Sequence, residues 1–295
     1  MRFGMSGCFL PDDMDAVTPE MCRRVRELGF GGIFTRFSRN NPNDTARARA
    51  ERLRQVLADN GVGLFQVTGF WQNLITPDEP ARRAAVQTLQ AALRLAGWMG
   101  ARSVDTGPGS MHPDAESVQH YGAWYPHPDN WTATSRRQLV KSLRECARAA
   151  EDAGVILSVE GHQLVTLESA EVTREVLDEV DSPWVRSDYD SANWITRETV
   201  YDTGAAVDHH FDVLEKHIIS CHAKDIWIEN KLALHLQSGC PGKGLMDFRT
   251  LFRRMEALNP DYPVIAEGNT TEELPQVSAL FHGIAGELGI GVRDG

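Results

Sequence analysis

The stretch Arg148-Ala149-Ala150-Glu151-Asp152-Ala153-Gly154-Val155-Ile156-Leu157-Ser158-Val159-Glu160-Gly161-His162 holds the plan of the chain in miniature. A helical pattern that opens in a Thr/Ser cluster near Thr134 runs to Ala153 and stops at Gly154, where a left-handed residue turns the backbone. A short apolar run, Val155–Glu160, follows at once and ends in charged residues. The same phrase of helix, glycine, apolar residue and strand recurs at Leu28-Gly29-Phe30, Asn60-Gly61-Val62 and Met99-Gly100-Ala101. A repeat of roughly 30–40 residues in which strand and helix signals alternate describes βα units rather than a helical solenoid.

Working outward, the strand signals are Arg2–Cys8, Gly32–Arg36, Gly63–Thr68, Ser103–Thr106, Val155–Glu160, Val185–Asp190, Ile218–His222 and Val264–Glu267. Helical patterns lie between them, among them Pro19–Leu28, Thr45–Asn60, Glu79–Met99 and Thr134–Ala153. The length of 295 residues fits two domains or one barrel of about 250 residues with insertions. Eight βα units favour the barrel over an open doubly wound sheet, and no GxGxxG follows the first strand. The expectation is an α/β chain forming a single (β/α)8 TIM barrel over residues 1–295. Two connections are too long for ordinary loops, at about 107–132 and 225–245. Gly107–Thr132 is rich in His, Trp, Tyr and Pro, and long loops at the C-terminal ends of barrel strands commonly shape a substrate pocket. Pro241-Gly242-Lys243-Gly244 in the second lacks P-loop spacing, so it reads either as an ordinary turn or as backbone approaching a ligand.

Composition narrows the function classes. Thirty basic against 41 acidic residues give a net charge of −11, which repels phosphate backbones and anionic lipid. No apolar run approaches the roughly 18 residues of a membrane span, and the N-terminal residues lack a signal-peptide core. The five cysteines include no CxxC pair, which argues against a disulfide framework or a structural zinc site. A cytoplasmic protein without nucleic-acid or membrane partners is expected.

In a parallel barrel, reactive groups project from the C-terminal strand ends. Four successive strands end in Val159-Glu160-Gly161-His162, Asp188-Tyr189-Asp190-Ser191-Ala192-Asn193, Cys221-His222-Ala223-Lys224-Asp225 and Ala266-Glu267-Gly268. Taken singly, each charged residue could face water, cap a helix or sit hydrogen-bonded in the interior. Together, strands about 4.8 Å apart bring three carboxylates and an imidazole to one point, where like charges call for a cation. That donor set suits Mn²⁺, Mg²⁺ or Co²⁺, with Zn²⁺ also open. Asp188 and Asp190 lie on the same strand face, so periodicity leaves the choice between them open.

These motifs resemble the sugar phosphate isomerase/epimerase group with a xylose-isomerase-like TIM barrel, a superfamily shared with endonuclease IV. The resemblance rests on Val159-Glu160-Gly161-His162, Asp190-Ser191-Ala192-Asn193, His222-Ala223-Lys224-Asp225, Pro241-Gly242-Lys243-Gly244 with Asp247-Phe248, and Ala266-Glu267-Gly268. His127-Pro128-Asp129-Asn130-Trp131-Thr132 also resembles a phrase of that group. The resemblance implies one divalent metal, most often manganese, held by Glu160, Asp190, His222 and Glu267, and it selects Asp190 over Asp188. It also implies that Glu160 and Glu267 face opposite sides of a sugar, one removing a proton and the other returning it through a metal-stabilised enediolate. Where ketose 3-epimerases carry a histidine, an arginine and a second glutamate, this chain has Asn193, Ile228 and Thr166. His112, Trp124, His162, Asn193 and Lys224 are candidate substrate-binding residues, and Trp71, Trp124 and Trp131 candidate walls for a sugar ring.

The expected activity is therefore a divalent-metal-dependent sugar isomerase or epimerase acting on a small sugar or polyol. The same intermediate can expel a substituent, so a lyase or dehydratase acting on a keto-sugar, 3-keto-glycoside or keto-inositol is the alternative. An abasic-site endonuclease fits less well: Asn193 stands in place of a histidine, and 225–245 contains no Asp-x-His pair. By analogy with other barrels, pairing through surface helices into a homo-oligomer is left open.

Overall fold

The computed structural model describes residues 1–113 and 124–294. Eight parallel strands close into a barrel: β1 (Arg2–Ser6), β2 (Gly32–Arg36), β3 (Gly63–Thr68), β4 (Ser103–Thr106), β5 (Ile156–Glu160), β6 (Val185–Asp190), β7 (Ile218–Ala223) and, completing the ring beside β1, β10 (Pro263–Ala266). They are the eight segments expected from sequence, with bounds that differ by a residue or two at some ends. Among the described residues, eight α-helices surround them: α1 (Pro19–Glu27), α2 (Arg47–Asp59), α3 (Glu79–Met99), α4 (Ala133–Ala153), α5 (Ala170–Val180), α6 (Thr203–Leu214), α7 (Phe248–Leu258) and α8 (Leu274–Glu287). The repeated glycine does what its position suggests: Gly154 ends α4 at φ 65° and returns the chain into β5. No helix among the described residues is long and apolar enough to cross a membrane.

The apolar side chains of the strands and the inner helix faces form the main core, while the barrel interior divides into two levels. Its lower level is a small apolar plug of Phe34, Phe65 and Ile265. Phe65 fits because β1 and β2 place glycines against it. A Cβ built on Gly4 would stand 2.8 Å from the Phe65 ring, and one on Gly32 only 2.5 Å from it. Above the plug the interior is polar. Gln66, Asp105, Ser158, Asp188, Ser220 and His222 are at most 1% exposed.

Two β-bulges produce this change of level. The register passes from Ile33–Leu64 to Phe34–Gln66, leaving Phe65 as the extra residue. Between Ser187–Ile218 and Asp188–Ser220 it leaves Ile219 over in the same way. Each bulge breaks the alternation of faces. Phe65 can therefore join the plug while the next residue, Gln66, bonds inward to Ser158 and His222.

The long connection after β7 carries an antiparallel hairpin, β8 (Asp225–Ile228) and β9 (Leu236–Gly239). Sequence reading missed it, because Asp225–Leu245 shows turn residues more plainly than strand alternation. The Pro241–Gly244 turn takes the structural reading. Asp225 is buried, and its carboxylate accepts backbone N–H bonds from Ile226, Gly242 and Met246 at 2.8–2.9 Å. A side chain on Gly244 would strike Ile226 O at 2.4 Å.

Gly32→Ala should therefore destabilise the chain by about 1–3 kcal/mol through overpacking against Phe65 and the Gly63 carbonyl. Combining it with Phe65→Leu should recover part of that loss, a coupling that urea unfolding of the single and double variants measures directly. Additive effects would show that the plug does not constrain these strands.

Candidate metal centre and cavity

The strand ends from β5 round to β10 converge at one mouth of the barrel. Glu160 closes β5, Asp188 and Asp190 both lie on β6, His222 sits near the end of β7 with Lys224 just beyond it, and Glu267 follows β10. Registry places Glu160 beside Asp188 and Asp190 beside His222. The β8–β9 hairpin seats against the far side, where the Gly268 backbone (φ 80°) packs so closely that a Cβ would lie 2.8 Å from Gly239. That contact fixes the position from which Glu267 reaches inward.

The imidazole of His222 is held on both edges and one face. Gln66 donates its amide N–H to Ser158 Oγ (3.0 Å) and presents Oε1 to His222 Nε2 at 2.6 Å. That partner places a proton on Nε2 and turns Nδ1 toward the acids. Nδ1 lies 3.0 Å from both Asp188 Oδ2 and Glu267 Oε2 and 3.8 Å from Glu160 Oε2. The Phe34 ring covers the imidazole at 4.5 Å between centroids.

Lys224 Nζ lies among the remaining acids, 2.6 Å from Asp190, 3.2 Å from Glu267 and 4.0 Å from Glu160. Asp190 Oδ1 accepts the Ala192 N–H at 2.8 Å, and Asn193 donates to Glu160 Oε1 at 2.7 Å. Asp188 Oδ2, Asp190 Oδ2, His222 Nδ1 and Glu267 Oε2 are buried with no hydrogen bond, held only by ion-pair contact.

The electrostatics follow from this crowding. Burial drives the Glu160 carboxyl well above its usual range, with Asp105 and Asp190 adding to the effect. Burial pushes Asp105 up to about 7, reinforced by Asp188 and Glu267. For His222, burial opposes protonation, but Asp188 and Glu267 outweigh it and raise its pKa well above the ordinary value. Lys224 is raised in the same manner, chiefly by Asp190 and Glu267. Burial acts to raise Glu267, yet Lys224 and His222 hold it below its usual range. Protons on Glu160 and His222 are thus favoured, beside the Lys224 ammonium.

Glu160, Asp190 and His222 each offer a ligand atom within 4.8 Å of the others, so the donor set and its unbonded atoms fit a divalent cation. A cavity of about 460 Å³ opens above, lined by Arg36, Trp71, Trp124, Glu160, Lys224 and Glu267 among others.

Among the expected site residues, Glu160, Glu267, His162, Asn193, Lys224 and Trp124 line this cavity. Asp190 and His222 lie in ion-pair contact with Lys224 and Glu267 at its base. The structure does not bring two candidates to it among the described residues. His112 stacks on Tyr125 at 3.9 Å, and Trp131 lies outside, donating its indole N–H to Gln163 O at 3.1 Å. Residues 114–123 of the long loop that contains His112 and Trp124 lie outside the described residues. Thr166 and Ile228, at two of the ketose-epimerase positions, do not line the cavity.

Sequence reading overlooked five residues, Phe34 over the imidazole among them. Gln66 and Asp105 sit inside the barrel, Arg36 lines the cavity with its guanidinium 5.1 Å over the Trp71 ring, and Ser238 enters from the hairpin. Two had a visible signal, Asp105 as an acid one residue before the end of a strand and Arg36 as the charged residue that closes one.

Comparison with known proteins adds the lineage. Residues 22–283 match the xylose isomerase-like TIM barrel family. The chain belongs to that family. Sequence comparison with curated proteins returns no match. Among solved structures, the family member shares its fold with D-psicose 3-epimerase of Clostridium cellulolyticum H10 with D-tagatose (TM-score 0.73, 16% identity, 99% of this chain and 100% of that one). It is similar also to the E. coli 3-keto-D-glucoside 4-epimerase (TM-score 0.68, 17% identity, 96% and 99% covered). A third is a xylose isomerase-like TIM barrel protein from Mycobacterium smegmatis in complex with magnesium (TM-score 0.68, 17% identity, 97% and 96% covered).

Any cation entering this cluster competes with protons on Glu160 and His222, whose protonated forms are favoured. Manganese affinity is therefore expected to fall as pH drops from about 8 to about 6, with net proton release on binding. Calorimetry in two buffers of different ionisation enthalpy measures both quantities. A pH-independent affinity without proton release would contradict the assignment of these shifts.

Proposed function

We propose that this chain is a divalent-metal-dependent isomerase or epimerase of a small sugar or polyol that carries a carbonyl. The observation that carries the reading is the meeting of Glu160 and Glu267 at the base of one cavity, both within reach of Lys224 Nζ (4.0 and 3.2 Å). We assign Glu160, Asp190, His222 and Glu267 to one cation, manganese before magnesium, cobalt or zinc, because an oxygen-rich set with one imidazole suits these ions. When bound, the cation supplies Lewis-acid polarisation of a carbonyl.

The chain's own residues supply the rest. The two glutamates come from non-adjacent strands, β5 and β10, and so approach a substrate from different sides. One removes the proton beside the carbonyl and the other delivers a proton to the opposite face. Their environments differ in the direction this division needs. Glu160 is biased towards the acid by burial, and Glu267 towards the carboxylate by Lys224 and His222. Asn193 orients Glu160 through its 2.7 Å bond, and Gln66 holds His222. Lys224 offers a donor to a substrate oxygen as charge develops there. Trp71 and Trp124, edge to face at 6.5 Å, form an apolar wall against which a sugar ring can lie. The cavity's size and the chain's acidity favour a small uncharged substrate over nucleic acid.

Proton NMR in D₂O tests the reading with a panel of ketoses, aldoses, inosose and 3-keto-glucosides and magnesium as the diamagnetic ion. Deuterium should appear at the carbon beside the carbonyl, with stereochemical or carbonyl interchange. Glu160→Gln and Glu267→Gln should each slow that exchange about 10²–10⁴-fold, the range for removing a general acid or base. Loss of a substituent with a new enone would replace this reading by a lyase or dehydratase. A panel returned unchanged by the metal-loaded protein would overturn the substrate class.

A further inference from the structure

The proposed chemistry is complete within the cavity that Trp71 and Trp124 wall, and a second hollow beside it has no part in that chemistry. This hollow, about 270 Å³ in volume, lies on the β1–β2 side of the barrel mouth. Phe34, Arg36 and Glu267 line both, so the two adjoin across a carboxylate assigned to proton transfer. At the roughly 30 Å³ that a water occupies in the liquid, the hollow holds about nine waters, and so has room for one further sugar unit.

The walls of the two differ in kind. The first cavity offers a ring face the indoles of Trp71 and Trp124. Among the described residues, no tryptophan lines the second. Ser6 closes β1, Thr35 sits one residue before the end of β2 and Thr68 closes β3, which gives the hollow three hydroxyl side chains, with Asp12 beyond them. Gly7 and Gly268 add wall that carries no side chain. A Cβ on Gly7 would stand 2.7 Å from Thr35 Oγ1, so this glycine lets the chain leaving β1 lie close against β2. Such walls suit a ligand held by hydrogen bonds instead of by stacking.

Charge limits what a second unit can carry. Asp12 and Glu267 outnumber Arg36 on this wall, so a phosphate or carboxylate placed here would meet two acids for one guanidinium. A neutral, hydroxyl-rich unit meets no such cost. Its O–H groups can donate to the carboxylates, and its oxygens can accept from Arg36 and from the serine and threonine hydroxyls. Arg36 lines both cavities, so its N–H groups are placed where a ligand would pass from one to the other.

We propose that the substrate is a carbohydrate of two units, with its carbonyl-bearing unit in the first cavity and an uncharged, hydroxyl-rich unit in the second, past Glu267. This rests on the reading that the first cavity takes a carbonyl sugar and that Glu267 is one of its proton-transfer groups. Recognition then divides between the two. The strand-end acids and the tryptophans hold the reacting unit, while Ser6, Asp12, Thr35 and Thr68 select the presence and linkage of the other. A single ketose leaves the second hollow to water and forgoes the binding energy available there.

Calorimetry on the Mg²⁺-loaded full chain tests this through affinity. The probes are fructose, the glucosyl-fructoses linked through the fructose 3-, 4-, 5- or 6-oxygen, and fructose 6-phosphate. Cys8 provides a way to plug the second hollow: it alone of the five cysteines is exposed, and it lines that hollow and not the first cavity. At least one glucosyl-fructose should bind about tenfold or more tightly than fructose, the second unit adding contacts that fructose lacks. Alkylation of Cys8 with N-ethylmaleimide, located by mass spectrometry, should abolish that gain and leave fructose affinity within about twofold, because the first cavity is untouched. Circular dichroism confirms that the alkylated chain is folded, and the affinities of the unmodified chain decide the question if it is not. Fructose bound as tightly as every glucosyl-fructose, fructose 6-phosphate bound most tightly of all, or a gain that survives alkylation would each overturn the second subsite and leave the first cavity's reading standing. Binding of none of these sugars would remove the substrate class and the subsite with it.

Discussion

The constraint on which the rest depends is the convergence of Glu160, Asp188, Asp190 and Glu267 on one imidazole and one ammonium inside a closed barrel. Carboxylates so placed repel strongly where water is scarce, and the structure answers with Lys224 among three of them and His222 Nδ1 against two. Much of the remaining interior keeps those two cations where they are. Gln66 and Phe34 hold the imidazole, Ser191 Oγ accepts the Lys224 backbone N–H at 3.0 Å, and Asp225 gathers the hairpin and the glycine turn behind them. A divalent cation bound there would take the place of protons and of the ammonium that now contacts these carboxylates.

The two bulges matter for the same reason. Filling a barrel with apolar layers alone would leave no place for polar groups, and filling it with polar groups alone would leave its floor open. By inserting Phe65 as an extra residue, β3 contributes to both levels from adjacent positions, and the extra Ile219 shifts the register of β7 against β6 just below its polar residues Ser220 and His222. Gly4 and Gly32 admit the bulky ring, and the polar tier stands on the resulting floor.

Much of this was legible in the sequence. The strands were visible because each is a short apolar run, and four of them, β2 to β5, are set off by helix-ending glycines. Glu160, Asp190, His222 and Glu267 stood out because charged residues close four successive runs. What stayed hidden depends on three-dimensional registry. Alternation puts neighbouring residues on opposite faces, so it cannot reveal that Phe65 and Gln66 both serve the interior. Asp105 sits one residue inside its strand end, where an acid in a single strand gives no hint of its neighbours across the sheet, and Asp188, weighed against Asp190 by periodicity, gave no sign that both acids enter the cluster. Asp225, next to a conspicuous Lys224, proved to be a backbone anchor, and His112 and Trp131 illustrate how loop aromatics pack against one another as readily as against a cavity.

The measurement that tests the account most directly is anomalous diffraction at the manganese edge from crystals grown with Mn²⁺. The account predicts a peak within coordination distance of Glu160, Asp190, His222 Nδ1 and Glu267, with the Lys224 ammonium moved away from the carboxylates it now contacts. Crystals with no peak in this cluster, and Lys224 still paired with Asp190 and Glu267, would show that the ammonium is the permanent counter-ion and that metal-assisted chemistry does not belong to this barrel.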